Sequence, residues 1–358
     1  MKRYLYDVIT GRRDGFVPRL IIASLTPLAW LFGAAARLRR AAYKRCASLS
    51  KGLPVPIVCV GSIAAGGTGK TPTVIALAEM FAEAGVRPAI ICSGYGGRRR
   101  GATIVSDGKR LMAGVEEVGD EAIMVGRKLL KKGIPVLAGR ERFEVGRLAL
   151  RLFKPDVIIL DDGFQHLKLR RDVDLVVLDA ESPLGTGKLL PAGTLREPPS
   201  ALEEASMILL MGEGETKVKV SIPIFRARIE PSWLRPIGET RFLPLEALRG
   251  KRVLGLCSIG NPRSFKRTLL SLGIASLEAI EFPDHHLYSK DDLDLIRRRM
   301  RGFDLLITTE KDEPKLERLG FKDGLVLEIS VRLPEGLKRE LMKTVSIHPH
   351  LARGFGKG

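Results

Sequence analysis

Residues 61–71 read Gly61-Ser62-Ile63-Ala64-Ala65-Gly66-Gly67-Thr68-Gly69-Lys70-Thr71 and follow the apolar run Pro56-Ile57-Val58-Cys59-Val60. A strand, a glycine-rich loop ending in Gly-Lys-Thr and a helical segment behind it make a phosphate cradle. Glycines let backbone N–H groups crowd a polyphosphate, the lysine reaches the β/γ-phosphates, and the threonine hydroxyl can ligate Mg²⁺. Ala64, Ala65, Gly66, Gly67, Thr68, Gly69, Lys70 and Thr71 are therefore expected to hold a nucleoside triphosphate. The motif wants glycine at position 64, and the chain has Ala64; the Gly66-Gly67 pair is expected to supply the flexibility instead.

A second phosphate-site signal is Val157-Ile158-Ile159-Leu160-Asp161-Asp162. A buried strand ending in carboxylates is where phosphate-loop enzymes hold Mg²⁺, so Thr71, Asp161 and Asp162 are the expected metal residues. The bland alternative is a strand-to-turn junction, because Asp-Asp-Gly also reads as a turn. Gln165 and His166 follow on the same edge. Asp120 and Glu121 in Val118-Gly119-Asp120-Glu121 open a helix. They serve either as a dipole-compensating start or, in Asp120, as a general base for an acceptor hydroxyl, and residue type alone leaves both open. Phe282-Pro283-Asp284-His285-His286 offers a histidine that could tune such a base. Arginine forks suit phosphate, which singles out Arg98 and Arg196. Thr308-Thr309-Glu310-Lys311-Asp312 ends a strand and has either a cleft role or a salt-bridging one.

These residues need a scaffold that gathers them. From Leu53 short apolar runs alternate with amphipathic stretches. Strands are predicted at Ile57–Val60, Ala89–Cys92, Pro135–Ala138, Val157–Leu160 and Leu175–Leu178, with helices over Thr71–Ala84, Asp120–Lys132 and Glu141–Phe153. This alternation predicts an α/β fold with a mostly parallel sheet flanked by helices. A Pro-rich connecting stretch covers Pro183 to roughly Leu248. A smaller α/β lobe follows, with strands at Val253–Cys257, Leu277–Phe282, Leu305–Thr308 and Leu325–Ile329. Ser289 and Asp292 form a capping-box-like helix start. The expected organisation is a 1–52 N-terminal segment, a 53–248 core, a 249–347 lobe and a 348–358 tail, with a cleft between the lobes.

The 358 residues carry a net charge of +18. Residues 1–52 hold eleven Lys/Arg against Asp7 and Asp14, half of that excess. Within them Leu20–Ala36 is uncharged but only 17 residues long and interrupted by Pro27, short of the roughly 20 needed for a membrane span. With Trp30, Phe32 and basic flanks it suits a helix in an anionic membrane interface; the alternative is a buried N-terminal helix. The four cysteines have no ligand or disulfide spacing, consistent with a reducing compartment. With 6% aromatics and no nucleic-acid motif, no nucleic-acid partner is expected; no protein partner is evident either.

The stretches VGSIAAGGTGKTP, SGYGG, VGDE, DDGFQHLKLRRDVDLVVLDA, GTGKLLPAGTLREP, FPDHH and TTEKD, in this order, resemble the tetraacyldisaccharide 4′-kinase family of lipid A biosynthesis. The resemblance covers about residues 55–312. It implies ATP and Mg²⁺ as cofactors and an acylated glucosamine disaccharide 1-phosphate as acceptor, at the cytoplasmic face of the bacterial inner membrane. It implies Asp120 as base, His285 rather than His286 as its partner, and Lys70 on the phosphates. Tyr95, Arg98, Gln165, His166 and Arg196 fall on the expected acceptor side. Ser93 stands where the family's SRGYG has arginine; either Arg98 or a neighbour substitutes for it, or the acceptor contact is weaker. The rival classes are a phosphate-loop NTPase switch of the metal-insertion or protein-targeting type and a nucleic-acid-stimulated ATPase.

Overall fold

The structure, a computed structural model, describes residues 2–214 and 218–346; the tail expected at 348–358 lies outside the described residues. The larger sheet has the strand order Thr103–Ser106, Val136–Ala138, Pro88–Cys92, Val157–Asp161, Ile57–Gly61, Val173–Asp179, Met207–Met211, Ile224–Ala227. All neighbours run parallel except Thr103–Ser106, which is antiparallel to Val136–Ala138. The central strands are buried along their whole length. Uninterrupted apolar runs of this kind are what a parallel sheet covered on both faces demands. Register then positions chemistry: Val60 pairs with Asp161, so the carboxylate stands at the strand end from which the glycine loop leaves.

The smaller sheet has the order Ser276–Glu281, Arg252–Cys257, Leu305–Thr309, Leu325–Val331, Ile229–Pro236. The last strand is antiparallel to Leu325–Val331. Its residues lie in the stretch read from sequence as a connection, so the second sheet begins at Ile229, ahead of the expected boundary near 248. Its Pro231 and Pro236 disguise it, and proline is tolerated because the strand is at a sheet edge. The expected C-terminal boundary shifts as well. The helix Glu335–Ser346 buries Leu337, Leu341 and Val345 in the core of the larger sheet, with Val74 and Phe81. The chain therefore enters the second lobe at Arg228 and returns after Val331. The expected capping box is present: the Ser289 hydroxyl accepts from the Asp292 N–H at 3.2 Å.

Phe16–Arg45 is one helix of 30 residues, continuous through Pro27, about 45 Å long at 1.5 Å per residue. It is long and apolar enough to cross a membrane by length and composition. Its inward stripe is Ala29, Gly33, Ala36 and Arg40. Phe16, Leu20, Trp30, Leu31 and Leu38 are exposed, so this is not the buried helix of the alternative reading. The 17-residue limit set by composition was too short because the helix extends into both flanks.

The lobes are joined by buried charge. Lys128, on the helix Asp120–Leu129, contacts Glu310 at 2.5 Å and Glu328 at 2.6 Å across the junction. Arg235 bridges Glu328 and Glu313 within the second lobe. Removing the cation leaves two carboxylates facing each other. Lys128→Met is expected to cost about 3–5 kcal/mol of unfolding free energy, read by urea unfolding; a loss below about 0.5 kcal/mol, the ordinary surface value, would show that the junction does not depend on it.

Candidate functional site

The glycine loop is fixed at its start and open at its tip. The Ala65 N–H donates to Thr194 O at 2.8 Å and the Arg196 N–H to Ile63 O at 2.7 Å; Ala64 bridges Leu195. The Leu195-Arg196 segment thus runs beside the loop like an added strand. Gly66 (φ 121°) and Gly69 (φ 91°) take the positive-φ positions; Ala64 does not, so glycine is unnecessary there. Gly66 and Gly67 are exposed, and Gly67 lies against Gly260 and Asn261 of the second lobe. The helix Lys70–Glu83 follows directly, with its free N–H groups at the loop.

At the neighbouring strand end the Thr71 hydroxyl donates to Asp161 Oδ2 at 3.2 Å. Arg196 Nη1 donates to Asp162 Oδ2 at 2.8 Å, and Lys70 Nζ lies 3.7 Å from Asp162 Oδ1. The two aspartates therefore differ. Burial pushes the Asp162 carboxyl up, but Lys70 and Arg196 outweigh it and hold it below its ordinary range. Burial, with Glu121 and Asp162 nearby, pushes Asp161 up to about 7 against the pull of Lys70 and the Thr71 hydrogen bond. Asp161 Oδ1 is buried without a hydrogen-bond partner. No group of three or more His/Cys/Asp/Glu able to hold a metal occurs among the described residues. Thr71 and Asp161 fit Mg²⁺, which is commonly bound by one or two carboxylates with water and substrate phosphates completing the shell. Asp162 already carries two cations and fits as a more distant partner.

Across the cleft, His285 Nδ1 lies 3.0 Å from Asp120 Oδ1, donating to the carboxylate. Lys315 Nζ lies 3.3 Å from Asp120 Oδ2 and 2.8 Å from Asp312. Lys311 Nζ contacts Glu121 and Asp284 at 2.9 Å each and lies 3.4 Å from His285 Nε2. Burial alone would raise the Asp120 carboxyl; the His285 hydrogen bond and the two lysines reverse this and hold it far below the usual range. For His285, burial disfavours the imidazolium, but the Asp120 hydrogen bond prevails and its pKa is raised. His285 and Asp162 both adopt positive φ, 61° and 53°. Lys154, which ends the helix Arg142–Phe153, shares this region at φ 46°.

The remaining expected residues divide. The Tyr95 ring meets His285 edge-on at 5.2 Å. The Gln165 side chain donates to Ser62 O at 2.9 Å, so it braces the loop. His166 is half-buried, and burial with nearby Arg142 pushes its pKa down to about 4; it is neutral at pH 7. Arg98 is not brought to this cluster. It is exposed, with its N–H bonded to Glu116 O and its guanidinium 3.9 Å from the Glu116 carboxylate, on the outer face. The two histidines separate: His286 stacks on Phe282 at 4.5 Å and bonds Asp292. Sequence reasoning missed Lys315, whose only signal is its three-residue spacing from Asp312. It also missed Arg142, buried with Nη1 on Cys92 O at 2.7 Å, beside Ser93.

A cavity of about 530 Å³ connects these parts, lined by Gly66–Pro72, Glu121, Lys128, Asn261 and Lys311. It brings the phosphate loop, with Thr71, into one space with Glu121, Asp284 and Lys311, the residues flanking the Asp120–His285 pair; a phosphate loop beside a carboxylate–histidine pair supplies components of phosphoryl transfer to a hydroxyl. The coupling of Asp120 to His285 has a pH signature. A histidine pKa raised on folding adds stability that is present below about 6.5, its ordinary value, and is lost as pH rises through the folded value. Asp120→Asn is therefore expected to destabilise the protein more at pH 6 than at pH 9. It should also move the His285 ring titration downward in NMR spectra; an unmoved titration would disprove the coupling.

The profile of the family described as tetraacyldisaccharide-1-P 4'-kinase matches residues 21–346. The tetraacyldisaccharide 4'-kinase of Syntrophus aciditrophicus is 41% identical over 336 residues, covering 86% of this chain and 89% of that protein. That of Geobacter metallireducens is 38% identical over 339 residues, covering 91% and 99%. The crystal structure of LpxK from Aquifex aeolicus in complex with ATP superposes with a TM-score of 0.75 at 31% identity, covering 91% of this chain and 99% of that one. With these likenesses spanning nearly its whole described length, the chain belongs to the tetraacyldisaccharide-1-P 4'-kinase family.

Proposed function

We propose that the cleft transfers the γ-phosphoryl group of ATP to the 4′-hydroxyl of a tetraacyldisaccharide 1-phosphate, with Asp120 taking the hydroxyl proton. The observation that carries this is the Asp120–His285 contact at 3.0 Å, made between lobes next to Glu121 and Asp284, which line the same cavity as the phosphate loop. Lys70 and the backbone N–H groups of the loop bind the donor phosphates. Thr71 and Asp161 would hold Mg²⁺, with Asp162 behind them; when bound, the ion would neutralise charge on the phosphate oxygens. Asp120 stays ionised and accepts a hydrogen bond from the acceptor hydroxyl. A carboxylate this acidic is a weak proton sink, yet that suffices. The phosphoryl transition state is loose, so orienting the hydroxyl matters more than deprotonating it early. His285 fixes the carboxylate's orientation, and Lys311 fixes the outer edge of the pair through Asp284 and Glu121.

Label transfer from [γ-³²P]ATP to defined acylated glucosamine disaccharides tests the reading. A labelled lipid product is expected; phosphate release without one would instead support an NTPase switch. Asp120→Ala is expected to lower turnover at least about a hundredfold while nucleotide binding persists. A near-normal rate would return Asp120 to a helix-start role.

We further place the enzyme on the cytoplasmic face of the inner membrane through Phe16–Arg45. The exposed Leu20, Trp30 and Leu31, with Arg37, Lys44 and Arg45 following, suit an anionic surface. With Trp233→Phe leaving Trp30 as the one tryptophan, its emission should shift to the blue on adding anionic vesicles. An unchanged spectrum with the protein left in the supernatant would rule out this seat.

A further inference from the structure

We infer that Arg40, on the membrane-facing helix, is a positioning residue for the phosphate loop, so that nucleotide affinity depends on the seating of that helix. Arg40 is 5% exposed, although it belongs to an otherwise largely exposed helix. The inward residues before it are Ala29, Gly33 and Ala36. A Cβ on Gly33 would come within 2.6 Å of Leu189 Cδ1, so glycine there lets the helix lie close enough for Arg40 to reach inward.

Arg40 then grips both flanks of the loop. Its Nε donates to Glu197 Oε2 at 2.9 Å and its Nη1 to Glu204 at 3.0 Å. Its guanidinium lies 4.3 Å above the Phe164 ring. Glu197 is fully buried and follows Arg196, whose side chain holds Asp162 at 2.8 Å and Ala64 O at 3.3 Å. Phe164 packs against Gly61, where a Cβ would meet Phe164 Cβ at 2.4 Å. One guanidinium thus fixes the segment beside residues 63–65 and the ring beside Gly61. Arg40 has no contact with the loop itself; it acts through Glu197 and Phe164. The inference rests on the donor reading above, that residues 64–71 bind ATP.

The test uses the full-length protein in detergent micelles, with equilibrium binding of a non-hydrolysable ATP analogue and Mg²⁺ followed by calorimetry. Arg40→Met is expected to weaken binding about tenfold, the scale of one lost charge-assisted hydrogen bond, and Arg40→Lys to restore part of it. In kinetics the KM for ATP should rise while that for the lipid acceptor stays constant. Arg40→Met also strands a buried carboxylate. The double variant Arg40→Met/Glu197→Gln removes that charge and should regain thermal stability without regaining affinity. Wild-type affinity in Arg40→Met, affinity returning together with stability in the double variant, or a rise confined to the lipid KM would each overturn the inference. Failure of the wild-type protein to bind the analogue would instead overturn the donor reading.

Discussion

An ionised carboxylate survives burial only beside a cation, and the molecule meets that condition at nearly every point where its parts join. Glu197 has Arg40 and Arg39 from the N-terminal helix. Asp162 has Arg196 and Lys70. Asp120 has His285 and Lys315 from the opposite lobe. Asp312 has Lys315 and the Ser258 hydroxyl. Asp161 is the exception: it has a hydroxyl at 3.2 Å and, among the described residues, no cation in contact. Its raised pKa is the electrostatic statement of that deficit. On the proposed function, a cation arriving with a nucleotide removes this deficit at the loop.

The same constraint explains the TTEKD stretch. Its residues look interchangeable in sequence, yet each has a different partner. Thr309 bonds Asp312, Glu310 takes Lys128 from the first lobe, and Lys311 spans Glu121 and Asp284. Asp312 orders Ser258 and Lys315. A short turn at a strand's carboxyl end therefore braces the second lobe's two direct contacts to Asp120, Lys311 lying against His285 and Asp312 against Lys315, and Asp120 gains its counter-charges only when the lobes face each other.

What was legible from sequence follows from how local each signal is. The buried runs Ile57–Gly61 and Val157–Asp161 are continuous and apolar, and the capping box at Ser289 is contained in four residues. The strand Ile229–Pro236 was not legible, because two prolines and an irregular burial pattern hide an edge strand whose identity depends on Leu325–Val331. The site divides the same way. The glycine loop and the Asp-Asp strand end could be read from residue types; the pairing of Asp120 with His285, 165 residues apart, came from resemblance and not from spacing. Lys315 and Arg40 were invisible. Both are long basic side chains of a kind normally solvated, and only the tertiary structure shows that burial selects them. Arg98 errs in the opposite direction: an arginine run that looks like a phosphate fork is a solvated face over Val115–Val118.

Two chain crossings let a contact between lobes hold a fixed geometry. The chain enters the second lobe at Arg228, directly between Ile224–Ala227 of one sheet and Ile229–Pro236 of the other. It returns through Val331 and Leu333, which are buried in the first core ahead of Glu335–Ser346. A lobe tethered by one strand could pivot about it; a second tether, buried in a different part of the same core, restrains rotation about the first. Lys128 and Arg127 add ion pairs on the helix that begins with Asp120. Asp120 and His285 thus meet across a doubly tethered junction. The strain of His285 at φ 61° is sustained by that junction, because a loop free to relax would have no reason to hold a histidine there.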